Sequence, residues 1–199
     1  METESARARA MNDTRNRILD VSLEVLGENS DASMGEIAVA AGVVRRTVYG
    51  HFPTRTELVH TLTQRAVSEI VAILDEVNAP GRAAERVWVD FIARLWPLMH
   101  RYRVLVALRR GEYGDEIHAL LGPVDTTLAE LVQRGQDSGE FGGHLRADIL
   151  SQIAYAAVFS IADSNRSDPT LDARAATIAS LLVLGVPEPH ARALVAGEA

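Results

Sequence analysis

The sequence predicts an all-α protein: an N-terminal three-helix unit of helix-turn-helix pattern, then a larger helical region, with about nine helices in total. Three observations predict it. Apolar residues recur at helical spacing along almost the whole chain, as in Ile18, Val21, Val25 and Leu26 or in Trp88, Phe91, Ile92, Leu95 and Met99. Alternating strand-like runs are scarce, and no Asn-Gly or Asp-Gly pair marks a hairpin. Two Ser/Thr-x-x-Glu boxes, Ser33 to Glu36 and Thr54 to Glu57, announce helix starts, because hydroxyl and carboxylate each satisfy an orphan N–H of the same turn.

Taken in order, residues 1–12 are polar and rich in Ala and Arg, and are expected to form a flexible arm. A first helix covers 13–27 and a second 33–40, each ending near a glycine. Ala41 and Gly42 supply a tight turn, and 44–52 is just long enough for a short third helix, which closes a unit spanning 13–53. The box at Thr54 opens a connecting helix over 54–78, stopped by Asn78-Ala-Pro-Gly81, where the composition shifts and a second domain, 79–199, is expected to begin. There the spacing predicts a helix over 82–100, kinked or ended by Pro97, and a shorter one over 101–110. One or two more follow over 115–136, interrupted near Gly122-Pro123, then an apolar helix over 148–163 and a last one over 170–184 before Gly185 and two prolines.

The chain has 199 residues, 47% hydrophobic and 24% charged, which is the composition of a globular protein and excludes disorder. It has no cysteine, which removes disulfides, thiolate nucleophiles and sulfur-ligated zinc. No apolar run approaches the roughly 18 residues of a membrane span, and the polar, arginine-bearing start lacks an apolar signal core. A cytoplasmic protein is expected. The charge balance, 20 Lys+Arg against 27 Asp+Glu, argues against coating nucleic acid through the net field. Local distribution differs: from Ile37 to Thr56 there is no acid, while Arg45, Arg46, His51 and Arg55 all fall there. Lysine is absent, so every cationic side chain other than histidine is an arginine, whose planar fork suits phosphate and guanine.

Two short helices joined by a tight turn, the second one basic, have the geometry that enters a DNA major groove. With Val48 and Phe52 facing inward, Arg46 and Gly50 point away, flanked by Thr47 and Tyr49. Arg45, Arg46 and Thr47 are then placed for base or groove contacts, and Tyr49, His51 and Arg55 for phosphates.

Residues from about Arg15 to Leu58 resemble the DNA-binding domain of the tetracycline-repressor-like (TetR) family of bacterial transcription regulators. The resemblance is carried by Arg17-Ile-Leu-Asp-Val-Ser-Leu-Glu-Val-Leu26, by Glu36-Ile-Ala-Val-Ala-Ala-Gly-Val43 and by Thr47-Val-Tyr-Gly-His-Phe-Pro-Thr-Arg-Thr-Glu-Leu58. It covers under a quarter of the chain. Three positions depart from the family pattern: Val44 where a polar residue is usual, Gly50 where a larger side chain is common, and Arg55 for the frequent lysine.

The resemblance implies a second all-α domain that binds a small effector and dimerises through its last two long helices. The function expected is a sequence-specific regulator, most simply a repressor released from a palindromic operator by a hydrophobic or aromatic effector. The residues agree with that division. Leu150, Ile153, Ala154, Ala157, Val158 and Ile161, with Ile178, Leu181 and Leu182, give more apolar helix surface than one domain core needs, and are expected at the dimer interface. Trp88, Phe91, Leu95, Met99, Tyr102, Leu121 and Leu128, with His118 as a polar contact, are the expected effector pocket. Arg101, Arg103, Arg109 and Arg110 form a cluster that reads as surface charge. No catalytic motif or metal-ligand spacing occurs, so neither an enzyme nor a cofactor is expected. The alternative is a helical architectural or partner-dependent DNA-binding protein with no small-molecule effector.

Overall fold

The computed structural model describes residues 2–108, 111, 113–165 and 167–197, and eleven helices are found among them. The first begins well before the expected boundary: α1 spans Glu2–Glu28, so the stretch expected as a flexible arm is helical. Residues 2–12 contain neither Gly nor Pro, and their Ala, Arg and Glu are good helix formers, so nothing stops the helix from extending backwards.

α2 (Met34–Ala40) and α3 (Arg45–His51) follow. Then come α4 (Arg55–Val77), α5 (Ala84–Arg101), α6 (Arg103–Leu108), α7 (Gly114–Leu120), α8 (Gly122–Asp137), α9 (Ala147–Ser164), α10 (Ala173–Val183) and α11 (Glu188–Ala196). α5 runs through Pro97 for another turn instead of ending there. The expected end of the sixth helix, with Arg109 and Arg110, lies outside the described residues. α11 lies where two prolines were expected to end helical structure. Proline at the first positions of a helix loses no hydrogen bond, and Pro187 and Pro189 start this one.

The chain forms two compact units. The first takes in the chain up to Arg65 together with Tyr102–His118; the second takes in Ala66–Arg101 and the remainder from Ala119. The division thus falls inside α4 instead of at residues 78–81, and α6 and α7 join the N-terminal helices.

In the first unit Ile18, Leu19, Leu26, Ile37, Val48, Phe52, Leu58 and Leu62 form the buried core. Arg65 pairs with Asp20 at 2.8 Å, and His60 of α4 contacts Glu116 of α7. At Gly27 a Cβ would lie 3.1 Å from Nη2 of Arg103, so the guanidinium of α6 occupies the space a side chain on α1 would fill.

In the second unit α9 packs against α8 and α10, and α10 against α5. Trp88 and Phe91 are fully buried, and the indole N–H donates to the Ser180 hydroxyl at 2.9 Å. Phe91 stacks on Tyr155 at 6.2 Å, and Tyr155 meets Phe159 edge-on at 4.7 Å. The α8 to α9 elbow is set by Gly135: a Cβ there would lie 2.1 Å from a ring carbon of Phe141, so the ring sits where a side chain would be. None of the described helices is long and apolar enough to cross a membrane.

Candidate nucleic-acid interface

The candidate interface is built from the turn between α2 and α3. Ser33 caps α2 reciprocally: its backbone N–H and hydroxyl both donate to Glu36 Oε2 at 2.7 Å, and the Glu36 N–H donates to Ser33 Oγ at 3.2 Å. The Ser33 backbone N–H, and then its hydroxyl, hold the Glu36 carboxyl below the ordinary carboxylate range. At the far end, Gly42 takes φ +64°, a left-handed conformation that favours glycine. The Gly42 N–H donates to Val39 O at 3.1 Å and the Val43 N–H to Ala38 O at 3.0 Å, which ends α2 and turns the chain into α3.

α3 is seven residues long and has one inward side. Val48 and the following Phe52 are fully buried, which fixes the helix rotation. Arg45, Arg46, Tyr49 and Gly50 are exposed as a result, while Thr47 and His51 are half-buried. Arg45 donates to the Tyr49 hydroxyl at 3.3 Å, one turn along, and that hydrogen bond pushes the Arg45 pKa further up. Gly50 faces open space: a Cβ there would meet nothing within 4 Å. Val44 is the N-cap, 66% exposed and without a side-chain cap hydrogen bond.

Arg55 stands apart from the others. Its guanidinium donates to the backbone carbonyls of Ser30 and Ala32, between α1 and α2, where a phosphate contact was expected. Arg15 was missed by sequence reasoning: its guanidinium lies 5.0 Å from the Phe52 ring centroid and braces the end of α3. One arginine among the four of α1 gives no sequence signal for that contact.

The expected effector residues divide. Trp88, Phe91, Leu95, Met99, Leu121 and Leu128 are buried in the second unit, whereas Tyr102 is buried in the first and His118 is exposed there. An open groove of about 490 Å³ along α8 and the start of α9 is lined by Ala129, Glu130, Gln133, Arg146, Ala147 and Asp148, none of them expected.

The expected dimer residues divide. Leu150, Ala154 and Val158, an i, i+4 stripe of α9, and Leu181 of α10 are fully buried within the second unit. Ile153 and Leu182 are 45% and 43% exposed, and Leu145 and Ile149 are exposed with them; Ala157, Ile161 and Ile178 are half-buried. Among the described residues no cluster of three or more His, Asp or Glu is placed to hold a metal ion.

Comparison with known proteins places this geometry. Residues 18–62 match the family described as bacterial regulatory proteins, tetR family. The chain is 35% identical over 106 residues to the HTH-type transcriptional repressor LfrR of Mycolicibacterium smegmatis, a match covering 50% of this chain and 54% of that one. It therefore spans about half the length of that curated relative. In three dimensions it is similar to LfrR of Mycobacterium smegmatis solved in complex with proflavine, with TM-score 0.69 and 20% identity over 90% of this chain and 98% of that one. It is also similar to RolR solved with resorcinol, with TM-score 0.65 and 18% identity over 94% of this chain and 95% of that one. The turn and the exposed basic helix thus lie within the segment, residues 18–62, that matches the tetR family of bacterial regulatory proteins, and the described helices share the fold of these solved regulators.

Proposed function

We propose that this protein is a cytoplasmic, homodimeric, sequence-specific DNA-binding regulator that represses transcription until a small hydrophobic or aromatic effector releases it. One observation carries the reading: α3 exposes Arg45, Arg46 and Tyr49 on a helix whose rotation is locked by Val48 and Phe52, in a stretch without acids from Ile37 to Thr56. Arginine forks presented this way can bond guanine O6 and N7 in the major groove, with Thr47 beside them, while Tyr49 and His51 supply donors for the flanking backbone. Gly50 lets the helix backbone come close to its partner.

A second copy makes the reading coherent. Two reading helices related by a two-fold axis match the half-sites of a palindrome, and the exposed Ile153 and Leu182, with Ile149 and Leu145, offer an apolar surface for that pairing. Effector response is placed by this reading in the second unit, whose core holds Trp88, Phe91 and Tyr155. Proflavine and resorcinol, present in the LfrR and RolR structures, are both aromatic. Release requires only that the effector bind the DNA-incompetent conformation better than the competent one. The reading involves no catalysis and no cofactor.

A footprint on the DNA flanking its own gene, repeated with planar aromatic compounds, tests site and release together. The expected result is a protected palindrome that is lost on adding an effector. Binding no tighter than to random DNA at physiological salt overturns the reading, and protection that no compound relieves favours an architectural protein.

A further inference from the structure

We propose that Arg55 is a positioning residue: it clamps the turn before α2 to the start of α4 and so sets the pose of the reading helix, instead of gripping a phosphate. The inference rests on the DNA-binding reading above for its consequence, though not for the clamp itself.

Arg55 opens α4, where the unpaired N–H groups of the first turn disfavour a cation. Its guanidinium is nevertheless held there, half-buried, by two carbonyl oxygens. Nη1 donates to Ala32 O and Nη2 to Ser30 O, a two-point grip that spans the turn. The turn is otherwise held by short local bonds, from the Ala32 N–H to Asn29 O at 3.0 Å and from the Asp31 N–H to Asn29 Oδ1 at 3.1 Å. Ala32 is buried, so its carbonyl has little access to solvent, and a charge-assisted partner is worth more there than at the surface. The next residue is Ser33, the cap from which α2 starts, and α2 carries α3 through the Gly42 turn. The clamp therefore acts immediately upstream of the segment that aims Arg45 and Arg46. A lysine has one compact ammonium and cannot hold two carbonyls two residues apart in this planar manner.

The two roles separate experimentally. A phosphate ligand contributes to the salt dependence of DNA binding, with a slope of roughly 0.9 per contact, and tolerates lysine; a clamp does neither. The full-length protein and its Arg55→Ala and Arg55→Lys variants are compared well below their melting temperatures. Two measurements are made: hydrogen exchange of the Glu36 and Ile37 amides without DNA, and affinity for the sequence that the wild-type protein selects from random DNA, over a range of salt.

Both variants are expected to speed that exchange and to lower affinity about tenfold, with the salt slope unchanged. The proposal is overturned if Arg55→Lys behaves as wild type, if Arg55→Ala lowers the slope by about 0.9 per subunit, or if affinity is unaffected. If the wild-type protein selects no DNA, it is the DNA-binding reading that fails, and the exchange data still decide the clamp.

Discussion

The Arg45 guanidinium lies across the Tyr49 ring, 5.4 Å from its centroid, while donating to the Tyr49 hydroxyl at 3.3 Å. The pair is one helical turn apart, so Tyr49 limits the directions in which the longer side chain can reach. Tyr49→Phe should keep the ring and lose the acceptor, weakening DNA binding a few-fold; Tyr49→Ala should weaken it further. Neither should shift the melting temperature appreciably, because the pair is exposed. Fluorescence anisotropy alongside thermal melts checks both points.

Two departures from the family pattern leave α3 less stable than it can be. Val44→Ser would supply the missing N-cap hydrogen bond, for a gain of about 1 kcal/mol. Gly50→Ala should add roughly 0.5–1 kcal/mol, since the new methyl meets nothing within 4 Å. Urea denaturation should show both gains. If Gly50→Ala also lowers DNA affinity, its cost to the helix is explained by close approach.

The Ser33 and Glu36 box makes α2 acid-sensitive. The folded carboxyl titrates below its ordinary value near 4.5, so its stabilising contribution is present above that value and is lost as pH falls through the lowered one. Amide protection at the start of α2, measured against the intrinsic exchange rate at each pH, should therefore fall below the ordinary carboxylate range, and Ser33→Ala should flatten that dependence.

Substitutions on the two sides of α9 should have different consequences. Ile153→Glu, or Leu182→Arg on α10, should give a folded monomer by light scattering, since both positions are exposed. Leu150→Ala should instead lower unfolding stability by about 2–5 kcal/mol by opening a cavity in the second unit.

Trp88→Phe should lower the stability of the second unit by about 1–3 kcal/mol, because it removes the N–H that the buried Ser180 hydroxyl accepts. Trp88→Phe combined with Ser180→Ala should recover part of the loss, which a double-mutant cycle by calorimetry would register.

Much of the fold was legible because helix period and caps are local signals. Ser33, Gly42 and the Val48 to Phe52 spacing placed α2, the turn and α3 within a residue or two of where they lie. The extension of α1 to Glu2 was missed because a polar Ala/Arg/Glu stretch reads equally as arm or helix when no apolar face decides. The interface residues were harder. Exposure of Arg45 and Arg46 followed from the inward side of a single helix, whereas the bonds from Arg55 run to backbone atoms more than twenty residues away, which no periodicity reveals. The same limit applies to α9: its pattern showed an excess of apolar surface, but which stripe faces α8 and α10 depends on tertiary packing.

The contact between Gly135 and Phe141 sets an order on how this protein can change. With the ring in the space of the missing side chain, a first substitution at position 135 must displace the buried Phe141 ring. A smaller residue at 141 vacates the space first, after which 135 is free to vary. Two substitutions tolerated together are thus reached more readily by one path than by the other, with position 141 changing before 135.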